Sequence, residues 1–145
     1  MTRPLHHSEK KHNLYLDLVR RIALESYCKR LKVGALIVKD GNIISFGYNG
    51  TPSGLPNVCE EDNVTLPTVL HAESNAITKA CKTPVTTEGA TMYMTHSCCV
   101  ECAKLIVQSG IKKVYYLEDY RDNSGINLLK TCDIEVTKTT NIKPI

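Results

Sequence analysis

The chain lacks any apolar run near the ~18 residues that a membrane-spanning helix requires. Its first residues, Met1 to His12, lack the apolar centre of a secretory leader and read as a loose polar tail. Strong charge of either sign is also missing: 18 basic against 15 acidic side chains leave +3. That is too little for a nucleic-acid surface, which calls for a clustered basic stripe. It does not forbid a small anionic ligand. Repeats, linker-like stretches and long charge blocks are absent too. The sequence is therefore expected to be a soluble, cytoplasmic protein, with no membrane or nucleic-acid partner. Its 145 residues suit one ordinary domain, with 1–12 as flexible tail and 13–145 as the folded unit.

What the chain has in quantity is cysteine, seven in all. An odd number without a leader argues against a disulfide framework. Three of the seven crowd into Cys98, Cys99 and Cys102, which points to metal or thiol chemistry.

Hydrophobic periodicity orders the elements. Leu14, Leu18 and Ile22 recur at helical spacing, widened by Leu24 and Cys28, and predict a helix over Asn13–Lys29. Val33–Val38 and Ile43–Tyr48 read as strands around the turn Lys39-Asp40-Gly41-Asn42, giving an antiparallel hairpin. Asn49–Pro67 carries Gly50, Pro52, Gly54 and Pro56 and reads as a long loop, a common place for function. Helices are expected over His71–Cys81, Cys99–Ser109 and Asn123–Thr131. Strands are expected over Ala90–Thr95, Lys113–Leu117 and Ile134–Thr137. A hairpin followed by alternating helices and strands gives an α/β fold, with a mixed sheet and helices on its faces.

Two segments carry chemistry: His71-Ala72-Glu73 and Cys99-Val100-Glu101-Cys102. Each opens a predicted helix, and one crossover can set the two helix starts side by side. One imidazole and two thiolates make three zinc ligands, leaving the fourth position open to water as in catalytic sites. Partial positive charge at both helix starts favours thiolates. Glu73 is the proton carrier: it takes a proton from the zinc-activated water and returns it to ring and leaving nitrogens. Mid-helix, a residue two past His71 would point elsewhere, so Glu73 has to rely on the looser geometry of a helix start.

These residues identify a resemblance to the zinc-dependent cytidine deaminase superfamily, and more closely to deoxycytidylate (dCMP) deaminases. It runs from about Cys28 to Ile134. Its markers are Val33-Gly34-Ala35, Gly47-Tyr48-Asn49-Gly50-Thr51-Pro52-Ser53-Gly54, His71-Ala72-Glu73-Ser74-Asn75-Ala76-Ile77 and Cys99-Val100-Glu101-Cys102-Ala103-Lys104. The resemblance implies a three-layer α/β/α fold on a central mixed five-stranded sheet. It implies hydrolysis of dCMP to dUMP and ammonia, supplying dUMP for thymidylate synthesis, with one catalytic Zn2+ per chain. His71, Cys99 and Cys102 would hold the metal and Glu73 would be catalytic. Asn49 would bind the deoxyribose hydroxyl, Arg30 the 5′-phosphate, and Tyr120 and Arg121 would lie over the pocket. Ala72 joins the substrate-binding set, and the Ser97 carbonyl would hold the departing amine. By the same resemblance, a homo-hexamer is activated by dCTP and inhibited by dTTP, with Mg2+ accompanying a triphosphate. The effector site would use the loop after the second strand, with Gly50 and Asn57.

Two departures stand out. Cys98 occupies the place where the family has Pro, and as a fourth ligand it would close the site. A small packed side chain is the favoured reading. Cys59 matches a position used for a second, structural zinc in some phage members, but Glu60–Leu70 holds no His. Two other readings stay open: the same chemistry on free cytidine or on a nucleic-acid base, and a catalytically dead, zinc-stabilised assembly module.

Overall fold

A computed structural model describes residues 3–144. In chain order the elements are α1 (His7–Ala23), β1 (Gly34–Lys39), β2 (Asn42–Tyr48), β3 (Glu60–Glu61), β4 (Val64–Thr65), α2 (Ala72–Ala80), β5 (Thr91–His96), α3 (Val100–Gln108), β6 (Lys113–Glu118), α4 (Ser124–Thr131) and β7 (Glu135–Lys138). Five strands form one mixed sheet in the order β2-β1-β5-β6-β7. β1 runs antiparallel to β2 and β5, while β5, β6 and β7 run parallel. This is the expected α/β sheet.

The strand alternation sorts the core into two layers. Leu36, Val38 and Tyr93 face α1 and pack with Tyr15, Leu16 and Val19. Ala35, Ile37, Met92 and Met94 face the other way, into the larger core with Ala76, Ala103, Ile106 and Leu129 of α2, α3 and α4. Helices thus cover both faces, which completes the three layers. No helix among the described residues is long and apolar enough to cross a membrane.

The first helix departs from expectation. It starts at His7, within the stretch read as tail, and ends at Ala23 rather than Lys29. Local capping decides its start: the Glu9 carboxylate accepts the His6 amide (2.8 Å) and pairs with Arg3 (2.9 Å). Those ties pull Glu9 down to about 2, the Arg3 bond first. His12 is also structural, with Nδ1 3.0 Å from the Tyr93 hydroxyl and Nε2 3.1 Å from Thr139 Oγ1. The buried face is Tyr15, Leu16, Val19 and Ala23, whereas Leu14 stays 43% exposed. The Leu14–Leu18–Ile22 stripe is therefore the rim of the buried face, because Tyr15 adds an apolar position that the spacing of leucines did not show.

Two glycines set the helices of the site close to their supports. A Cβ on Gly47 of β2 would lie 2.6 Å from the Ala76 nitrogen and 2.7 Å from the Ala72 carbonyl, so only glycine lets α2 lie on that strand. Ser45 Oγ and Asn75 Nδ2 then tie β2 and α2 together, through Ala76 O (2.6 Å) and Tyr48 O (3.0 Å). A Cβ on Gly125 would lie 2.1 Å from the Cys98 carbonyl, so α4 abuts the turn that leads into α3.

The 49–67 loop holds one short hairpin, β3–β4, separate from the main sheet. Beside it the structure holds a single disulfide rather than a framework: Cys28 and Cys59 are bonded, with Cα atoms 5.2 Å apart. The odd count argued only against a framework, and folding brings this one pair together across 31 positions.

Candidate active site

His71 is the N-cap of α2 and Cys99 the N-cap of α3, both with extended backbone. An N-cap side chain turns back over its own helix start. Cys102 is the third helical residue after Cys99, the spacing at which a capping box brings N-cap and N3 side chains together. That is why Cys-x-x-Cys converges at a helix start. α2 and α3 pack side by side, and His71 Nδ1 lies 3.4 Å from Cys99 Sγ and 3.3 Å from Cys102 Sγ. All three donor atoms lie within 4.8 Å of one another. One imidazole nitrogen and two thiol sulfurs at that spacing fit tetrahedral zinc with one position left over.

Glu73 is the second residue of α2 and is 4% exposed. Because His71 is a cap rather than a helical residue, the two side chains reach the same space. Burial pushes the Glu73 carboxyl up to about 7, against the lowering effect of its hydrogen bond with the Cys102 thiol. Hydrogen bonds from Cys102 and then His71 pull the Cys99 thiol down to about 3, while Cys102 shifts upward because it donates to that thiolate. Cys98 stands apart. It is buried at 1%, packs in the core, and burial pushes its thiol up to about 12. It is not among the three clustered donors.

These groups open into a cavity of about 520 Å³. Arg30, Asn49, His71, Ala72, Glu73, Ser97, Cys99, Tyr120 and Arg121 all line it. Gly50 and Asn57 are not among its lining residues. Asn49 staples one wall: Oδ1 accepts the Val33 amide (2.9 Å) and Nδ2 donates to the Leu31 carbonyl (2.7 Å). Ser97 is buried, and its Oγ accepts the Tyr120 amide (2.7 Å), which fixes the segment that bears Tyr120 and Arg121. The Arg121 guanidinium lies 5.7 Å from the Tyr120 ring centroid. Arg30 Nη1 donates to Thr65 Oγ1 (3.1 Å), which brings β4 to the opening.

Sequence reasoning missed Glu60, Thr65, Glu118 and Asp119, which also line the cavity. The length of the 49–67 loop was the one hint for the first two. His96 lines it as well, with Nε2 3.2 Å from Glu118 Oε2 and Nδ1 2.9 Å from Thr95 Oγ1. It is a strand-end histidine held in place from both sides.

Residues 9–118 match the cytidine and deoxycytidylate deaminase zinc-binding region. The chain belongs to that family and is a zinc-type deaminase, an enzyme. Within the family its similarity runs to deoxycytidylate deaminases. It is 35% identical to the deoxycytidylate deaminase of Enterobacteria phage T4, covering 87% of this chain and 88% of that one. It superimposes with a TM-score of 0.87, at 43% identity, on the dCMP deaminase of cyanophage S-TIM5, crystallised with dCMP and dUMP. That match covers 94% of this chain and 100% of the phage protein. It is also 45% identical to ComE operon protein 2 of Bacillus subtilis over 69% of its length, and spans 55% of that protein.

Proposed function

We propose that this chain hydrolyses dCMP to dUMP and ammonia, supplying dUMP for thymidylate synthesis. The observation that carries the reading is a buried carboxyl held near neutrality, Glu73, beside a three-donor group, in a cavity that also presents two arginines. The solved cyanophage relative, with dCMP and dUMP bound, supports the choice of substrate.

His71, Cys99 and Cys102 would hold one Zn2+, which when bound supplies Lewis acidity that brings the pKa of water near 7. Every other role falls to side chains and backbone of this chain. Buried in the cavity beside the three donors, the Glu73 carboxylate takes a proton from the attacking water. It delivers that proton to the ring nitrogen, then takes the second proton from the hydroxyl now on the carbon and passes it to the leaving amine as the C–N bond breaks. The Ser97 carbonyl accepts a hydrogen bond from the departing amine. Asn49 has an amide hydrogen beyond its bond to Leu31, and directs it to the deoxyribose hydroxyl. Arg30 and Arg121 take the 5′-phosphate, for which a guanidinium fork is suited. Ala72 and Tyr120 complete the binding set.

The reading extends to a hexamer in the cytoplasm, activated by dCTP and inhibited by dTTP, with Mg2+ arriving on the triphosphate. Gly50 and Asn57 lie in the loop assigned to the effector, outside the cavity lining. The test is an ultraviolet assay of zinc-loaded protein on dCMP, beside deoxycytidine and dCTP, with each effector added in turn. Loss of dCMP absorbance, modulated by the effectors, is expected. Untouched dCMP in every condition would overturn the reading, and turnover of deoxycytidine alone would remove the phosphate roles of Arg30 and Arg121.

A further inference from the structure

The Cys28–Cys59 pair has no part in the deamination chemistry, yet it sits at the edge of the same cavity. Cys28 belongs to the segment between α1 and β1, and Cys59 immediately precedes β3. Both are almost fully buried, at 1% and 2% exposure. The β3–β4 hairpin has two residues per strand, paired only with each other. Such a small unit opens easily unless other ties hold it. Its polar ties run to the residues beside Cys28. The Glu60 carboxylate accepts the backbone amides of Lys29 (3.0 Å) and Arg30 (3.1 Å), and Thr65 accepts Arg30 Nη1. The disulfide is the one covalent tie among them.

We propose that Cys28–Cys59 is a reversible thiol–disulfide site that latches the β3–β4 hairpin, and with it Arg30, against the opening of the cavity. Cys28 Sγ also lies 3.4 Å from the Asn49 carbonyl oxygen, so the bond abuts a second wall residue. In the reduced state that carbonyl can accept the new thiol hydrogen, while the hairpin keeps only its hydrogen bonds. Glu60 lies close enough to the two sulfurs to count as a third donor. Its oxygens are already engaged by Lys29 and Arg30, so a cross-link suits the group better than a metal ion.

The oxidant is a small-molecule disulfide. After local opening of the hairpin, one protein thiolate attacks it, forming a mixed disulfide and releasing one small thiol. The second protein thiolate then attacks the mixed disulfide, closing Cys28–Cys59 and releasing the other small thiol. Two electrons pass from the protein sulfurs to the reagent, and the two protein thiol protons end on the released thiols.

Non-reducing peptide mapping reads the bond directly, after the full-length protein has been equilibrated with oxidised glutathione or with a phosphine reductant. Zinc content and limited proteolysis within residues 49–71 are followed in the same samples. The oxidised protein should yield linked Cys28 and Cys59 peptides and resist cleavage. Reduction should raise the KM for dCMP by roughly three- to tenfold, with kcat within about twofold, because ground-state binding is what loosens. A Cys28→Ser/Cys59→Ser double variant should show the reduced-state KM in both buffers. Absence of the linked peptides after oxidation overturns the proposal. So does a bond that changes neither KM nor cleavage, and so does a second metal ion bound per chain by the reduced protein. The KM arm rests on the dCMP reading. Mapping and proteolysis do not, so a protein that forms the bond and changes its cleavage without turning over dCMP sinks the substrate alone.

Discussion

The two cysteine groups of this chain make opposite use of the same side chain. Cys99 and Cys102 stand on the first turn of α3, facing an imidazole on the first turn of α2. Cys28 and Cys59 stand on irregular segments and face each other. The first pair is held on one helix: N-cap and N3 side chains converge above the helix start without forming a disulfide. Hydrogen bonds from Cys102 and then His71 draw the Cys99 thiol down to about 3. The second pair has no such scaffold, only a third neighbour whose oxygens are occupied. Backbone context, rather than the residue type, separates a cluster of free donor atoms from a cross-link.

The largest expected effect lies at the first group. Glu73→Gln should lower kcat for dCMP by about 10²–10⁴ or more while one zinc per chain is retained; near-normal turnover would remove Glu73 from its role. Next comes the metal itself. A chelator should lower the melting temperature by about 10 °C, since a ligand at a thousand times its Kd stabilises by about 4 kcal/mol. Cys99→Ser should melt at the chelated temperature and gain nothing from added zinc. If chelation moves only the activity, the α2–α3 pair is held by packing and the contrast with the covalent pair weakens.

The wall shared with the second group should respond more mildly. Asn49→Ala strands the Val33 amide and the Leu31 carbonyl, at a cost of about 1–3 kcal/mol read by urea unfolding. It should also raise the KM for dCMP. An unchanged KM would confine Asn49 to the staple. The smallest effect belongs to Cys98→Ala, which should cost under about 1 kcal/mol and leave the zinc content at one per chain. Loss of zinc in that variant would make Cys98 a ligand, despite its burial and its raised thiol pKa.

Legibility followed locality. The hairpin, α2, α3 and the parallel strands were readable because alternation, turn residues and caps act within a few positions. The triad and Glu73 were readable because both motifs open helices, and a helix start is a local event. The start of α1 was not readable as helix because its cap depends on Glu9 and Arg3 within a stretch that otherwise resembles a tail. Its buried face was misplaced because Tyr15 is chosen by Tyr93 across the sheet, a partner 78 positions away. Glu60, Thr65, Glu118 and Asp119 have no spacing that marks them, and reach the cavity only through the loops that carry them.

By itself the sequence determined the order of the helices and main-sheet strands, and it singled out the two helix-opening motifs that carry His71, Glu73, Cys99 and Cys102. Each motif is a few positions long and opens one helix, where the backbone fixes local geometry, while the packing of α2 against α3 brings His71 to Cys99 and Cys102. Only the tertiary structure decided that Glu73 is buried and drawn toward neutrality, that Cys98 is packed away, and that Cys28 meets Cys59. Burial and long-range contact depend on how separate segments pack, and no local pattern encodes which segment will exclude water from which side chain.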